Sequence, residues 1–163
     1  MKYLFLCLLL SPALANAQAC QLKKTKDQFS QEPKISTGFI SFNNSLLSID
    51  ANKKEIDFFF SLKNSNDTKC FDDASVATFV FEGKLKSNFK NTGTMNCEGL
   101  FHINFKNLAT TPGVLNRLLT KKITAISLTG NNKSVTTITL GAEQQQQLMD
   151  WANCLVTEAK TLL

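Results

Sequence analysis

The stretch Cys70–Phe105, CFDDASVATFVFEGKLKSNFKNTGTMNCEGLFHINF, decides the fold of this chain. It contains two cysteines and three segments with the character of β-strands, and in two of these segments apolar and polar residues alternate, the pattern of a strand with one buried face. The stretch contains the only histidine, His102, and six of the thirteen phenylalanines of the chain: Phe71, Phe79, Phe81, Phe89, Phe101 and Phe105. We therefore expect a sheet to be built around it.

The three segments differ in where they place charge. Residues 76–81 are apolar on both faces, which predicts a central strand. In residues 84–90, Leu85, Ser87 and Phe89 alternate with three lysines and an asparagine, which predicts a sheet edge, because charge hinders pairing with another chain. In residues 101–106, phenylalanine and isoleucine point one way and His102 points the other. Together the segments predict an up-down-up meander whose phenylalanines face a core.

Alternation continues outside this stretch and ends in a helix. Residues 55–63 place Ile56, Phe58, Phe60 and Leu62 on one face, while Phe59 interrupts the polar face. A short helix is predicted near 112–119, and apolar residues at helical spacing predict a C-terminal helix near 142–161. The fold class is therefore mainly β (β-rich α+β), as an antiparallel sandwich or curved sheet that carries a C-terminal helix.

The N-terminus predicts export. Lys2 is followed by the apolar run Leu4–Leu10 and by small residues at Ala15–Ala17, the layout of a secretory signal peptide with a bacterial appearance. The apolar run is too short to span a bilayer. We expect residues 1–17 to be a signal peptide, 18–34 a polar N-terminal arm and 35–163 a single domain. The mature protein would lie in the periplasm or outside the cell.

A lipoprotein anchored through Cys20 is the alternative. The small residue Ala19 fits a lipoprotein signal, but such signals have leucine where this chain has Ala17, and Gln18 fits poorly.

The cysteines predict two disulfides. Cys7 leaves with the signal peptide, and four cysteines then remain in an oxidising compartment. Of the three possible pairings we favour Cys70–Cys97 and Cys20–Cys154, because the meander brings Cys70 and Cys97 to the same end of a sheet. No CxxC or HxxxH spacing occurs, so we expect no metal, and no sequence motif indicates a cofactor.

The charge limits the partners. The formal net charge is +5, and the lysines are scattered except for the cluster Lys23–Lys26. We interpret this cluster as a solvated arm, with a foothold on anionic lipid or polysaccharide as the sharper alternative. Nucleic acid is not expected, because no aromatic residues interleave with the lysines and the compartment is wrong. An envelope protein or an envelope glycan is the expected kind of partner.

Three features invite a chemical interpretation. Asp72, Asp73 and Glu98 would gather at the cysteine end of the sheet, hypothetically as a hard-cation site or an acid/base pair, but we favour the interpretation that the two aspartates belong to a turn before a strand. For His102 we favour a surface or sheet-packed histidine; any histidine-based catalysis would have to use it, with Glu98 or Asp72 as its carboxylate. Phe59 is the candidate exposed aromatic residue of a binding patch.

The tail of the chain carries a resemblance. LLTKKITAISL (118–128), ITL (138–140) and LMDWANCL (148–155) resemble the closing strand-strand-helix module, ending in Cys-Leu, of small exported bacterial proteins of unassigned function. CFDD (70–73) and NCEG (96–99) are similar to the middle of such proteins. The resemblance implies a β-rich exported domain and brings no activity with it.

These observations lead to three hypotheses about function. The first is a non-enzymatic, exported, disulfide-stabilised domain that binds a protein or glycan of the cell envelope. The second is a small periplasmic hydrolase that uses His102. The third is a carrier of a hydrophobic ligand with an apolar cavity between the sheet and the terminal helix.

Overall fold

The structure is a computed structural model that describes residues 21–28, 30–62 and 69–163. Within these ranges it contains ten strands in two antiparallel sheets and two α-helices. The predicted mainly β class with a C-terminal helix is therefore confirmed. The strands are β1 (Lys23–Lys26), β2 (Pro33–Ser36), β3 (Ile40–Phe42), β4 (Ser45–Ala51), β5 (Glu55–Leu62), β6 (Val76–Phe81), β7 (Lys86–Lys90), β8 (Leu100–Lys106), β9 (Ile123–Thr129) and β10 (Val135–Thr139), and the helices are α1 (Gly113–Thr120) and α2 (Ala142–Ala159).

The first sheet has six strands in the order β1-β2-β4-β5-β8, with β3 also paired to β4. Its centre is β5, which pairs over its length with β4 and with β8. The buried residues of β5 are Ile56, Phe58 and Phe60, in the alternation that the sequence predicts. This inner face packs against the second sheet.

The second sheet has the order β10-β9-β6-β7. β6 lies between β9 and β7, so its predicted central position is confirmed, and the lysine-lined β7 is an edge strand, also as predicted. Phenylalanine rings join the two sheets: Phe60 meets Phe79 edge-on at 6.1 Å, and Phe89 meets Phe105 at 5.6 Å between centroids. The two sheets form a sandwich rather than one curved sheet.

The predicted meander is wrong in its third strand. β8 does not pair with β7; it crosses to the other sheet and pairs with β5, with Phe101 opposite Phe60 and Ile103 opposite Phe58. This pairing aligns two buried alternating faces, whereas the lysines of β7 suit the outermost position of the second sheet.

The disulfide Cys70–Cys97 nevertheless forms, next to a β-bridge between Phe71 and Asn96. The pairing was predicted from a meander, but it connects the approach to β6 in one sheet with the approach to β8 in the other. The disulfide therefore joins the two sheets of the sandwich.

The N-terminal arm also differs from its prediction. From residue 21 onward it is not a free polar arm, because β1 and β2 form an antiparallel hairpin at the edge of the first sheet. The turn between them is stabilised by Asp27, whose Oδ1 accepts a hydrogen bond from the backbone N–H of Ser30. Backbone pairing and this turn, rather than apolar burial, place the lysine-rich segment in the sheet.

Helix α2 completes the core. Its buried residues recur at helical spacing, as the sequence predicts: Leu148, Ala152, Leu155, Val156 and Ala159. Asn107 ties its C-terminal end to the sheet, because the buried Nδ2 donates to the carbonyl oxygens of Ala159 at 2.8 Å and of Asn52 at 3.0 Å. Lys24 of β1 forms an exposed ion pair with Glu158 of the same helix at 2.7 Å.

Candidate binding face on the six-stranded sheet

The outer face of the six-stranded sheet carries aromatic side chains. Because side chains alternate along a strand, the residues between the buried ones of β5 point away from the core. Phe59 is one of these, and its cross-strand neighbours are Ser48 on β4 and His102 on β8. The predicted orientation of His102, opposite Phe101 and Ile103, agrees with its place on this face.

Three rings form a continuous aromatic row, defined here as Phe39, Phe59 and His102. The imidazole of His102 stacks on Phe59 with 4.6 Å between centroids and 28° between planes, and Phe39 is tilted against Phe59 at 6.0 Å. Phe59 is half-buried, not exposed as predicted, because its neighbours in the row cover it. The exposed ring is Phe39, at 62% of its maximal accessible surface.

Asp57 holds the imidazole of His102. Nδ1 of His102 lies 2.8 Å from Oδ2 of Asp57. Since a carboxylate only accepts, Nδ1 carries the proton, and in the neutral ring Nε2 is then the basic nitrogen. The carboxylate partner of His102 is thus Asp57, rather than the predicted Glu98 or Asp72.

The loop after β7 holds the free edge of β8. The buried side chain of Asn91 accepts a hydrogen bond from the backbone N–H of His102 at 2.9 Å, and the N–H of Thr92 donates to the carbonyl of His102. Gly93 packs on the ring itself, since a Cβ there would stand 2.8 Å from Cδ2 of His102. The imidazole is therefore fixed by its own strand, by Asp57 and by this loop.

An acidic groove adjoins the aromatic row. This groove of about 80 Å³ is lined by Lys34, Asp50, Ala51, Asn52, Glu55 and Asp57. Asp50 and Asp57 lie directly opposite each other on β4 and β5. Oδ1 of Asp57 is inaccessible to solvent and has no hydrogen-bond partner among the described residues, and Lys34 approaches Asp50 only to 3.8 Å. The groove therefore holds three carboxylates and one ammonium group.

Neighbouring polar groups orient the other two carboxylates. The hydroxyl of Ser48 donates to Asp50 at 2.9 Å, and the amide of Asn104 donates to Glu55 at 3.3 Å. Both carboxylates keep further acceptor capacity, because each oxygen of a carboxylate has two lone pairs.

The acidic residues at the cysteine end have a different role. Oδ1 of Asp72 accepts hydrogen bonds from the Ser75 hydroxyl at 2.9 Å and from the N–H of Ala74 at 3.0 Å. The Ser75 hydroxyl is the main cause that holds the pKa of Asp72 below its usual 3.8. Asp73 and Glu98 are exposed. The turn interpretation therefore accounts for Asp72.

A metal site is not formed by the described residues. Among them, no three His, Cys, Asp or Glu side chains come together in a way that suits a metal ion. Asp72, Asp73 and Glu98 accordingly do not assemble the hypothetical cation site. Across the same ranges, no helix has the length and apolar character needed to cross a membrane.

A further cavity lies between the N-terminal hairpin and α2. It has a volume of about 550 Å³, and its described lining is Leu22, Lys24, Asn153, Cys154, Thr157 and Glu158. Within this described lining Leu22 is the one large apolar side chain, which gives little support to a hydrophobic-ligand carrier. Cys154 is disulfide-bonded, while Cys20 lies outside the described residues, so the Cys20–Cys154 pairing stays a prediction.

Sequence reasoning missed two residues of the outer face, Phe39 and Asp57, and two residues of the loop that holds His102, Asn91 and Gly93. Asp57 shares a strand face with Phe59 at a spacing of two residues, and that signal was available. Its contact with His102 was not, because it depends on the pairing of β5 with β8.

Comparisons with protein-family models, with curated proteins and with solved structures find no match. Inferences about the function of this chain therefore rest on its fold and on the outer face of the six-stranded sheet.

Proposed function

We propose that this protein is an exported, disulfide-stabilised domain that binds a partner in the bacterial cell envelope through the aromatic row. The observation that carries the proposal is Phe39, an aromatic side chain 62% exposed beside the stacked pair Phe59–His102. Aromatic residues provide large contact area at a low cost in conformational entropy, and their exposed clusters mark interaction sites.

Export is supported by the signal-peptide layout of residues 1–17 and by the disulfide Cys70–Cys97, which suits an oxidising compartment. The resemblance to small exported bacterial proteins is part of the same proposal. Mass spectrometry of the protein recovered from cells tests it. We expect a mature N-terminus at Gln18; an acylated Cys20 would establish the lipoprotein alternative, and an intact Met1 would contradict export.

A capture experiment tests the binding role. Purified mature protein is immobilised and incubated with cell-envelope extract, in parallel with the variants Phe39→Ser and Val135→Ser. Val135 is the matched control, because it is 58% exposed but lies on the other sheet. We expect Phe39→Ser to lose the captured component and Val135→Ser to keep it. Equal capture by all three proteins would contradict the role of the aromatic row.

The pair Asp57–His102 supports a second candidate function, a small hydrolase. A carboxylate on Nδ1 leaves Nε2 as a general base, the arrangement found in the histidine of hydrolytic triads. Within the described ranges no hydroxyl bonds to Nε2, so water would be the nucleophile. Hydrolysis of p-nitrophenyl acetate by the wild type and by His102→Gln tests it: equal rates would reject this candidate.

We place binding first, because the outer face offers an exposed ring and an adjacent groove, whereas among the described residues no hydroxyl bonds to Nε2 of His102.

A further inference from the structure

The charge of the acidic groove indicates what kind of partner fits the aromatic row. Building on the proposed binding function, we propose that the partner is a protein segment that places a lysine or arginine side chain in the acidic groove and an apolar side chain on the aromatic row. The chain as a whole carries a formal net charge of +5, yet this groove combines three carboxylates with one lysine. Its local sign is opposite to that of the protein.

The groove keeps an unfavourable charge arrangement. Like charges directly opposite each other on neighbouring strands destabilise a sheet, and Asp50 faces Asp57 in this way. Lys34 compensates weakly, because its ammonium group is 3.8 Å from Asp50 and its side chain is 42% exposed. Within the part of the chain that the structure describes, one oxygen of Asp57 contacts the imidazole of His102 and the other has no donor. Departures of this kind from favourable local patterning are expected at functional sites.

A cationic side chain would resolve this arrangement. Its charge would offset the two facing carboxylates, and its donors would use the free acceptor capacity of Asp50 and Glu55. Lysine and arginine also have apolar stems that lie along apolar surfaces, and their charged groups are attracted to the faces of aromatic rings. The exposed ring of Phe39 offers such a face beside the stacked pair.

The spacing of the two parts suits an extended segment. Asp57 lies two residues from Phe59 on the same face of β5, which corresponds to about 6.5 Å along a strand. Side chains at positions i and i+2 of an extended peptide have the same separation, so one basic and one apolar residue would reach both parts. An anionic polysaccharide would instead be repelled by the groove, which is why we commit to a protein partner.

Titration of isotope-labelled mature protein with defined peptides, followed by NMR, tests the proposal. The probe is a capped five-residue peptide that alternates lysine and leucine, and a peptide with glutamine in place of lysine is its neutral match. We expect the lysine peptide to shift the amide signals of Phe59 and His102, and the glutamine peptide to bind on the order of tenfold more weakly.

Two double variants locate the charge effect. Asp50→Asn with Glu55→Gln neutralises the groove, and Asp73→Asn with Glu98→Gln removes the same number of charges from exposed positions elsewhere. We expect only the groove variant to weaken binding of the lysine peptide. An equal loss in both variants, equal binding of both peptides, or shifts confined to other surfaces would overturn the proposal.

The capture experiment separates failure of this inference from failure of the binding role. If capture of the envelope component depends on Phe39 but not on Asp50 and Glu55, the binding role stands and a cationic partner is rejected. If capture depends on neither, both proposals fail.

Discussion

His102 is held by contacts from three directions. Phe59 stacks on its ring, Asp57 accepts from its Nδ1, and the backbone of the loop after β7 packs against its edge at Gly93. A histidine fixed in this way presents one orientation of Nε2 to a partner. Its rigidity therefore matters for either binding or catalysis.

Replacing Gly93 tests how tightly the ring is held. In Gly93→Ala the new Cβ would stand 2.8 Å from Cδ2 of His102, and the ring cannot yield without leaving Phe59 or Asp57. We expect a loss of about 1–3 kcal/mol in the free energy of unfolding, typical of overpacking, and altered ring signals of His102 by NMR. Gly113→Ala is the control, because nothing lies within 4 Å of a Cβ there. Unchanged His102 signals would show that the loop does not position the ring.

Asp72 gives a pH dependence of known sign. Its pKa is lowered in the folded protein, mainly by the Ser75 hydroxyl, so its contribution is present above the unfolded pKa and disappears as the pH falls through the folded value. We expect Asp72→Ala to be less stable than the wild type at about pH 7, and the difference to shrink below about pH 4. Urea denaturation across this range measures it, with Asp73→Ala as the control. A difference that is constant with pH would contradict the assignment.

At the residue scale, local patterns predicted which way side chains point but not what they touch. The face of His102 followed from the alternation of β8. The stacking of Phe59 on His102 depends on a partner 43 residues away in the sequence, which alternation within one strand does not reveal. Phe39 was overlooked because it precedes a very short strand and belongs to no long alternating run.

The strand β8 shows what decides pairing at the element scale. Both β5 and β7 were possible neighbours, and the sequence order favoured β7. β5 has a buried alternating face that matches the buried face of β8. β7 begins and ends with lysines, Lys86 and Lys90, which suit an edge strand. The register of β8 on β5 places His102 next to Phe59, so this one pairing assembles the proposed binding face. Helix α2 could be predicted without knowledge of strand pairing, because its apolar residues recur at helical spacing within one stretch of sequence.

A substitution at Asn107 tests the hydrogen bonds that tie the C-terminal end of α2 to the sheet. Asn107→Ala removes the donor to the carbonyl groups of Asn52 and Ala159 in a buried position. We expect the free energy of unfolding to fall by about 1–3 kcal/mol, the cost of buried polar groups left without a partner. Asn104→Ala, on an exposed position of β8, should cost about 0.5 kcal/mol or less. Equal effects of the two substitutions in chemical denaturation would show that the hydrogen bonds of Asn107 contribute little to the free energy of unfolding.

The disulfide between the two layers gives a second prediction at this scale. Replacing both Cys70 and Cys97 by serine removes a cross-link that spans 27 residues of sequence. Loop-closure entropy predicts a loss of about 3–4 kcal/mol in the free energy of unfolding. Chemical denaturation of the oxidised double variant measures this loss without disturbing the disulfide at Cys154. A stability equal to that of the wild type would contradict the stabilising role of the cross-link.

Across the whole molecule, phenylalanine side chains lie both in the core and on the outer face of the six-stranded sheet. Most of the rings fill the space between the two sheets, where Phe58, Phe60, Phe71, Phe79, Phe81 and Phe101 are almost fully buried. Phe39 and Phe59 lie on the opposite face of the six-stranded sheet, next to a groove whose charge is opposite in sign to that of the protein. The sandwich thus presents, on the outer face of the six-stranded sheet, the aromatic row beside the acidic groove.

Site-specific photo-cross-linking in cells tests the central claim most directly. The photoreactive residue p-benzoylphenylalanine is introduced at position 39 in one variant and at position 135, on the other sheet, in a second. If the aromatic row is the binding surface, position 39 gives a discrete cross-linked product after irradiation and position 135 gives none. Absence of a product at position 39, or equal yields at both positions, would contradict the claim.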